Sequence, residues 1–407
     1  MPEPLDGWEA DFHAFHARFA SLFGRREPRE QSRKYLRGLM GRVERKNCWQ
    51  LAEAVGDARP DSLQRILYEC PWDEDAARDL LQAFVVEKFG DADGIGVVDE
   101  TGFVKKGRCS VGVKRQYTGT AGKIENCQVG VFLSYVTPRG HTFLDRRLYL
   151  PEDWCEDLPR RQKAGVLEAV EFRTKPELAL EMVGHAGDQG VPLRWVTGDE
   201  IYGDAGYFRH GLAEQGLWYV LAVSVSTPVW RRRPRVQEPW RDTGGRPRTR
   251  ARLAPQAPPT ASAGEVVAGW PSDRWQRLEV AQGEKGPRVY DWAAQRVVET
   301  QAGLPGETVW LLARRSVSDS HEIAYYLSNA PGNTPLAKLA HVASARWTIE
   351  QCFEEAKGET GLDQYEVRSW HSWHRHITLS MMAHAWLASI RRDQEPKRGP
   401  WTKTWPS

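Results

Sequence analysis

At 407 residues the chain exceeds one ordinary domain, so two or three structural units are expected. With 41% hydrophobic and 27% charged residues, and no apolar run of the roughly 18 residues a membrane span needs, it reads as a globular protein and excludes membrane function. A net charge of +2 selects no partner by itself, so what matters is where the charge lies along the chain.

The N-terminal stretch MPEPLDGWEADFHAF carries no leader pattern, and the chain is expected to stay in the cytoplasm. Residues 10–90 show helical periodicity, with Leu36, Leu39, Met40, Val43, Leu51, Ala54 and Val55 on apolar faces. Arg37, Arg42, Arg45 and Lys46 fill the remaining faces, as a DNA-binding helical module requires. A helix-turn-helix and an ordinary bundle fit this pattern equally. Asp61 or Ser62 is expected to cap the helix SLQRILYEC, and PWDEDAARDLLQAFVVEKF opens another with acids in its first turn.

From residue 94 the period changes. GIGVVDE is a buried strand ending in Asp99 and Glu100, and FVKKG, NCQVGVFLSYVT and HTFLDRRLYL continue as a meander. TKPELALEMVGHAGDQG is an amphipathic helix, LRWVTGD a strand ending in Asp199, GDAGYFRHGLAEQG a helix and WYVLAVS a strand. The segment 231–252 then holds nine arginines, Arg231, Arg232 and Arg233 first, against Glu238 and Asp242. With the basic stretch 25–46 and the 18 tryptophans, it points to a polyanion that offers rings to stack on. PQAPPTASAG, residues 255–264, is expected to be a flexible loop. Strands resume in WQRLEVAQ, RVYDWAAQRVVE, TVWLLARRS and EIAYYLSNA. A long helical region follows from Pro335, then a last helix over 370–391 and a basic tail. Cys48, Cys70, Cys109, Cys127, Cys155 and Cys352 show no CxxC or Cys/His ligand spacing, which suits a reducing compartment and not a zinc site.

Three carboxylates stand out by position: Asp99 and Asp199 at strand ends, Glu350 in the late helix. Such groups gathered together repel one another and persist at neutral pH only if cations neutralise them. Hard oxygen donors suit Mg²⁺ or Mn²⁺, and two such ions suit in-line displacement at phosphorus. On a continuous helix Arg346, Glu350 and Lys357 fall within about 40° of one another, while Glu355 points about 180° from Arg346.

These residues resemble the insertion-sequence transposases that carry a DDE catalytic triad on an RNase H-like fold. The resemblance covers about residues 94–390. It rests on VVDETGFVKKG, on YTGTAGKIENCQ from Tyr117 to Gln128, on GDEIYGDAGYF, on RWTIEQCFEEAKGETGLDQYEVRSWHSWHRH, and on a β-rich insertion before the glutamate. It implies an α/β, RNase H-like catalytic domain with a mixed sheet, interrupted by a β-rich insertion subdomain and preceded by an α-helical DNA-binding domain. The expected boundaries are 1–90 for the helical domain, 91–224 and 316–391 for the catalytic domain, 225–315 for the insertion and 392–407 for the tail.

By this resemblance Asp99, Asp199 and Glu350 are catalytic and hold two Mg²⁺ ions, for which Mn²⁺ can substitute. Arg346 and Lys357 hold phosphates. The family's tyrosine position is Ala343 here, and Tyr202 and Tyr207 are candidates to replace it. Lys105, Lys106, Lys114 and Arg115 are candidate backbone contacts. In similar transposases the insertion supports a hairpin at the transposon end, with an aromatic ring stacked on a flipped base; Trp270, Trp275, Trp292 and Trp310 are the candidates, each weighed against a core role. His371, His374 and His376 lack the partners of a tetrahedral metal site. The implied partners are double-stranded DNA, as transposon ends and target, and a second copy of the chain when DNA is bound. Two alternatives stay open: a catalytically silent DNA-binding derivative, and an RNase H-like nuclease that cuts without joining strands.

Overall fold

The computed structural model describes residues 4–239, 250–283 and 286–394, so the middle of the arginine-rich run and the tail beyond Gln394 lie outside the described residues. The chain divides into two compact units: one holds the described residues up to Leu193 and again from Trp347, the other Arg194–Arg346.

The first unit begins with α1 (Pro4–Ala17), α2 (Arg26–Met40), α3 (Cys48–Ala54), α4 (Asp61–Tyr68) and α5 (Glu74–Phe89). Capping explains two of these starts. Asn47 accepts from the backbone N–H groups of Trp49 and Gln50, and Asp73 from those of Asp75 and Ala76. At α4 the residue before the helix is Pro60 and Asp61 is already its first member, so neither Asp61 nor Ser62 is the cap. The proline's fixed φ serves that entry instead.

Next come β1 (Gly94–Val104), β2 (Lys114–Thr118), β3 (Lys123–Thr137) and β4 (Gly140–Tyr149), then α6 (Glu152–Glu156), α7 (Leu158–Ala164) and α8 (Lys175–Asp188). β3 pairs antiparallel with β1, β2 and β4, and Asp99 of β1 lies opposite Phe132. GIGVVDE and the following FV form one strand, because the residues up to Val104 keep the ladder with β3. Thr174 and Glu177 form a reciprocal capping box at α8.

The second unit contains β5 (Leu193–Gly198), α9 (Glu200–Gly203), α10 (Gly206–Glu214), β6 (Trp218–Val223), β7 (Pro228–Trp230), β8 (Val236–Gln237), β9 (Arg252–Leu253), β10 (Ala261–Ser262) and α11 (Ala263–Ala268). It continues with β11 (Gln276–Gly283), β12 (Gly286–Gln301), β13 (Leu304–Ser316), β14 (Ile323–Ser328) and α12 (Leu336–Ser344). Its sheet is mixed: β5 runs parallel to β6, and β6, β14, β13, β12 and β7 follow in antiparallel order. The end of PQAPPTASAG is ordered and not a loop, since Ser262 pairs with Pro228 and caps α11 with Glu265.

The chain then returns to the first unit as α13 (Trp347–Thr360) and α14 (Trp370–Gln394). α14 is the hub of this unit, packing on β4, α2, α4, α5 and α13. Phe12 meets Trp386 and Tyr35 meets His376, so the N-terminal helices share a core with the strands and do not stand apart as a separate body. The center of that core is aromatic, with Phe103, Phe132, Phe143, Phe353 and Trp373 in edge or tilted contact. No helix among the described residues is long and apolar enough to cross a membrane.

Candidate active site

In the first unit, α13 packs on β1, and one contact fixes how they meet: Lys357 Nζ donates to Thr101 Oγ1 at 2.8 Å and reaches Thr120 Oγ1 at 3.4 Å. Thr101 is two residues beyond Asp99 and shares its face of the strand. Glu350 is seven residues before Lys357, about 20° away around the helix axis and two turns earlier. Strand and helix thus present Asp99 and Glu350 on the sides along which they pack. Both carboxylates are half-buried, and Asp99 Oδ1 accepts the N–H of Glu100 at 2.8 Å.

The hairpin of β2 and β3 completes this edge. A Cβ on Gly102 would lie 1.9 Å from Thr118 Oγ1, so only glycine in VVDETGFVKKG lets the hairpin cross β1 and bring Thr120 to Lys357. Burial lowers the pKa of Lys357. Glu100, on the other face of β1, pairs with Lys175 at 2.6 Å.

In the second unit Asp199 ends β5 as the cap of α9, with Oδ1 accepting from Ile201 N at 2.9 Å. The loop after it is tied down. Arg209 donates to the carbonyl of Gly203 and pairs with buried Glu299 at 3.4 Å, while Asp204 Oδ1 accepts from Ser224 N and Thr227 Oγ1. A Cβ on Gly203 would lie 1.6 Å from the Ala222 carbonyl oxygen, which requires the second glycine of GDEIYG. Glu299, on a strand far along the sequence, braces the Asp199 loop, and no motif announced it.

Several expected contacts stand elsewhere. The late helical region breaks between Ser344 and Trp347, so Arg346 lies outside α13 and its angular relation to Glu350 on one continuous helix does not apply. Ala343 is buried in α12. Tyr202 is fully buried against Phe208 and is a core ring, not a DNA contact; Tyr207 is exposed. Lys105 is turned inward, with Nζ 3.5 Å from the Tyr365 ring centroid and bonded to the Tyr365 carbonyl, and burial lowers its pKa to about 8. Lys106 and Arg115 are exposed, while Lys114 pairs with Asp153 at 3.0 Å.

Arg231, Arg232 and Arg233 are exposed, though Arg231 and Arg233 also hold backbone carbonyls of Glu265 and Gly306. Trp292 is fully buried beside Tyr326, so its ring offers no face to a base; Trp270 is nearly buried against Trp275. Trp275 and Trp310 are half-exposed, with Arg315 over the first and Arg296 over the second.

The three histidines of SWHSWHRH turn to four different partners, as a metal center would not. His371 bonds Glu74 at 2.6 Å, His374 the Trp370 carbonyl, and His376 both Tyr35 and the Gly361 carbonyl. Glu355 is held by His384 at 3.2 Å and Arg391 at 2.9 Å; burial opposes ionisation, but these partners outweigh it and hold the carboxyl down to about 2. Burial also lowers His374 to about 3 and His141 and His376 to about 4.

These shifts share one sign. Each histidine is neutral when folded and binds a proton near pH 6.5 when unfolded, so its stabilisation is full above that value and is lost as pH falls toward the folded pKa. Thermal melts between pH 7.5 and 4 are therefore expected to show the melting temperature of the first unit dropping, most steeply below about pH 6.5. A flat profile would contradict the neutral, buried placement of these rings.

The donor chemistry of Asp99, Asp199 and Glu350, carboxylate oxygens only, fits a hard divalent cation. Among the described residues no group of three or more His, Cys, Asp or Glu side chains is gathered so as to hold a metal ion.

Comparison with known proteins gives the context for these residues. A family model described as DDE superfamily endonuclease matches residues 18–287, a span that includes Asp99 and Asp199. The probable transposase for insertion sequence element IS701 of Microchaete diplosiphon is 33% identical over 193 residues, 47% of this chain and 48% of that protein. The chain thus covers about half the length of this curated relative. A solved piggyBac transposase synaptic complex with hairpin DNA aligns over 89% of this chain and 66% of its own, with 11% identity and a TM-score of 0.42. With the family model matching well over half of its residues, the chain belongs to the DDE superfamily endonucleases.

Proposed function

We propose that the chain is a DNA transposase that binds the terminal inverted repeats of its element, cuts at the ends and joins them to target DNA. The observation that supports the reading is the docking of α13, which carries Glu350, on β1, which carries Asp99, through Lys357 and Thr101 in a member of the DDE endonucleases. The similarity to a probable insertion-sequence transposase supports strand joining over simple cleavage.

In this reading Asp99, Asp199 and Glu350 hold two Mg²⁺ ions, which when bound activate the attacking oxygen and stabilise the leaving one. The chain's own residues do the rest. Lys357 is anchored by the hydroxyls of Thr101 and Thr120 and presents a cation to a flanking phosphate. Arg346 is the second candidate phosphate contact. The exposed groups Lys106, Arg115, Tyr207, Arg231 and Arg232 contact the backbone, a term that weakens with salt. Two copies bridge two DNA ends.

The test is incubation of the protein with a duplex carrying the sequences that flank its coding region, plus a target plasmid, with Mg²⁺, with Mn²⁺ and with chelator. Metal-dependent nicking followed by covalent joining to the plasmid is expected. Cutting without joining would select the nuclease reading, and binding without cutting the silent one.

A further inference from the structure

The N-terminal helices carry a site that the carboxylates do not explain. Between α3, α4 and the segment 365–368 that precedes α14 lies a cavity of about 320 Å³, lined among others by Tyr35, Lys46, Asn47, Trp49, Tyr68 and Arg368. That volume is at the lower end for small-molecule sites. It suits one flat heterocycle and is too small for a duplex end.

The rim is aromatic and open to water. Trp49 is 62% exposed and Tyr68 50% exposed, two large rings at one cavity mouth with no role in the fold's core. The Trp49 backbone is fixed, because its N–H donates to the capping Asn47 Oδ1 at 3.1 Å at the start of α3. The floor is closed and fully bonded. His376 Nε2 donates to the Gly361 carbonyl at 3.1 Å, so its Nδ1 accepts from the Tyr35 hydroxyl at 2.8 Å.

The walls are cationic. Lys46 holds its ammonium on the Leu39 and Gly41 carbonyls, Arg368 is exposed at the edge, and Glu366 is the one lining carboxylate. Cys48, half-buried in the same wall, has its thiol pushed up to about 12 by desolvation and adds no negative charge. A slot of mixed polarity, with two exposed rings at its mouth and two cations against one carboxylate, matches a base attached to a phosphate backbone.

We propose that this cavity receives an unpaired nucleobase of DNA, stacked on Trp49 and Tyr68 while Arg368 meets the adjoining phosphate. The proposal rests on the DNA-binding reading above and deepens it, since it assigns the N-terminal helices to an unstacked base at a strand end or distortion.

The experiment measures fluorescence anisotropy of the full chain with a labelled twelve-nucleotide oligothymidylate and with a fully paired duplex of equal length. Trp49→Ala is expected to weaken single-strand binding roughly tenfold, Trp49→Phe less than about threefold, and duplex binding less than about twofold in both. Tyr68→Ala, at another exposed ring, is read in the same way should Trp49→Ala lose its thermal transition. Equal losses on both DNAs, or no loss from either alanine variant, would overturn the pocket while leaving the transposase reading in place. A wild-type chain that binds neither DNA would overturn both.

Discussion

Glu350→Gln, Asp99→Asn and Asp199→Asn are each expected to reduce metal-dependent cleavage of element-end DNA by about a thousandfold or more while leaving DNA binding intact. The amides keep the shape and hydrogen-bonding reach of the carboxylates and remove only the charge. Folding should be little affected. Asp199 caps α9 and Asp99 accepts a neighbouring N–H, and an amide oxygen can take over both bonds. DNA affinity measured in chelator should stay level or rise, because a negative charge has been removed beside phosphates. Gel quantification of nicked ends at fixed Mg²⁺, beside anisotropy without metal, separates the two effects. Cleavage that survives Glu350→Gln would move the third ligand to another carboxylate, with exposed Glu354 the nearest in sequence. Cleavage that survives Asp99→Asn would remove the metal reading itself.

The second large effect concerns stability. Arg146 is completely buried on β4, donating to Asp75 at 2.8 Å, to Thr378 Oγ1 at 2.9 Å and to the Glu74 carbonyl at 2.9 Å. Beside it Asp145, also completely buried, is held by Arg78, Arg146 and Arg147. This cluster joins α5, β4 and α14. The Asp75 side chain is 62% exposed; its partly desolvated position opposes ionisation, but Arg146 and Arg78 outweigh this and hold the carboxyl well below its ordinary range, while the enclosed acid of the cluster is Asp145. Arg146→Ala removes the central cation, leaves buried Asp145 to Arg78 and Arg147 alone, and takes the guanidinium's donations from Thr378 and the Glu74 carbonyl. A loss of about 3–5 kcal/mol is expected for breaking a buried pair on one side. Urea unfolding followed by tryptophan fluorescence would show it as a lower midpoint for the first unit, with the slope unchanged if the unit still unfolds as one. A loss below about 1 kcal/mol would mean that the cluster is solvated in the folded protein.

The two predictions separate two kinds of buried charge. The carboxylates proposed for catalysis sit half-buried, Asp99 within β1, Asp199 just after β5 and Glu350 on α13. Asp145 and Arg146 are enclosed, already neutralised, and serve only to join elements. A sequence reading treats Asp99 and Asp145 alike, as acids in strand-like segments. Burial and partners tell them apart.

Local order was largely legible. The buried strand at Gly94, the strand ending before Asp199, the amphipathic helix capped by Thr174 and the long last helix all follow from hydrophobic period and capping residues, which act within a few positions of the chain. The chemical type of the candidate carboxylates also follows from residue identity alone. What sequence could not decide was each side chain's surroundings. Tyr202 and Trp292 stand as candidates for DNA contacts beside a core role because tyrosine and tryptophan serve both, and only packing shows them enclosed. The break that removes Arg346 from α13 lies in a stretch of good helix formers, where tertiary context overrides propensity. Glu299 reaches Arg209 from 90 residues away, and Trp49 joins Tyr68 and Arg368 at one cavity, because contacts distant in sequence form only when the chain closes on itself. Periodicity and residue chemistry thus determined the elements and the candidate reactive groups, while which groups are enclosed, braced or open to a ligand was decided by long-range packing that no local pattern encodes.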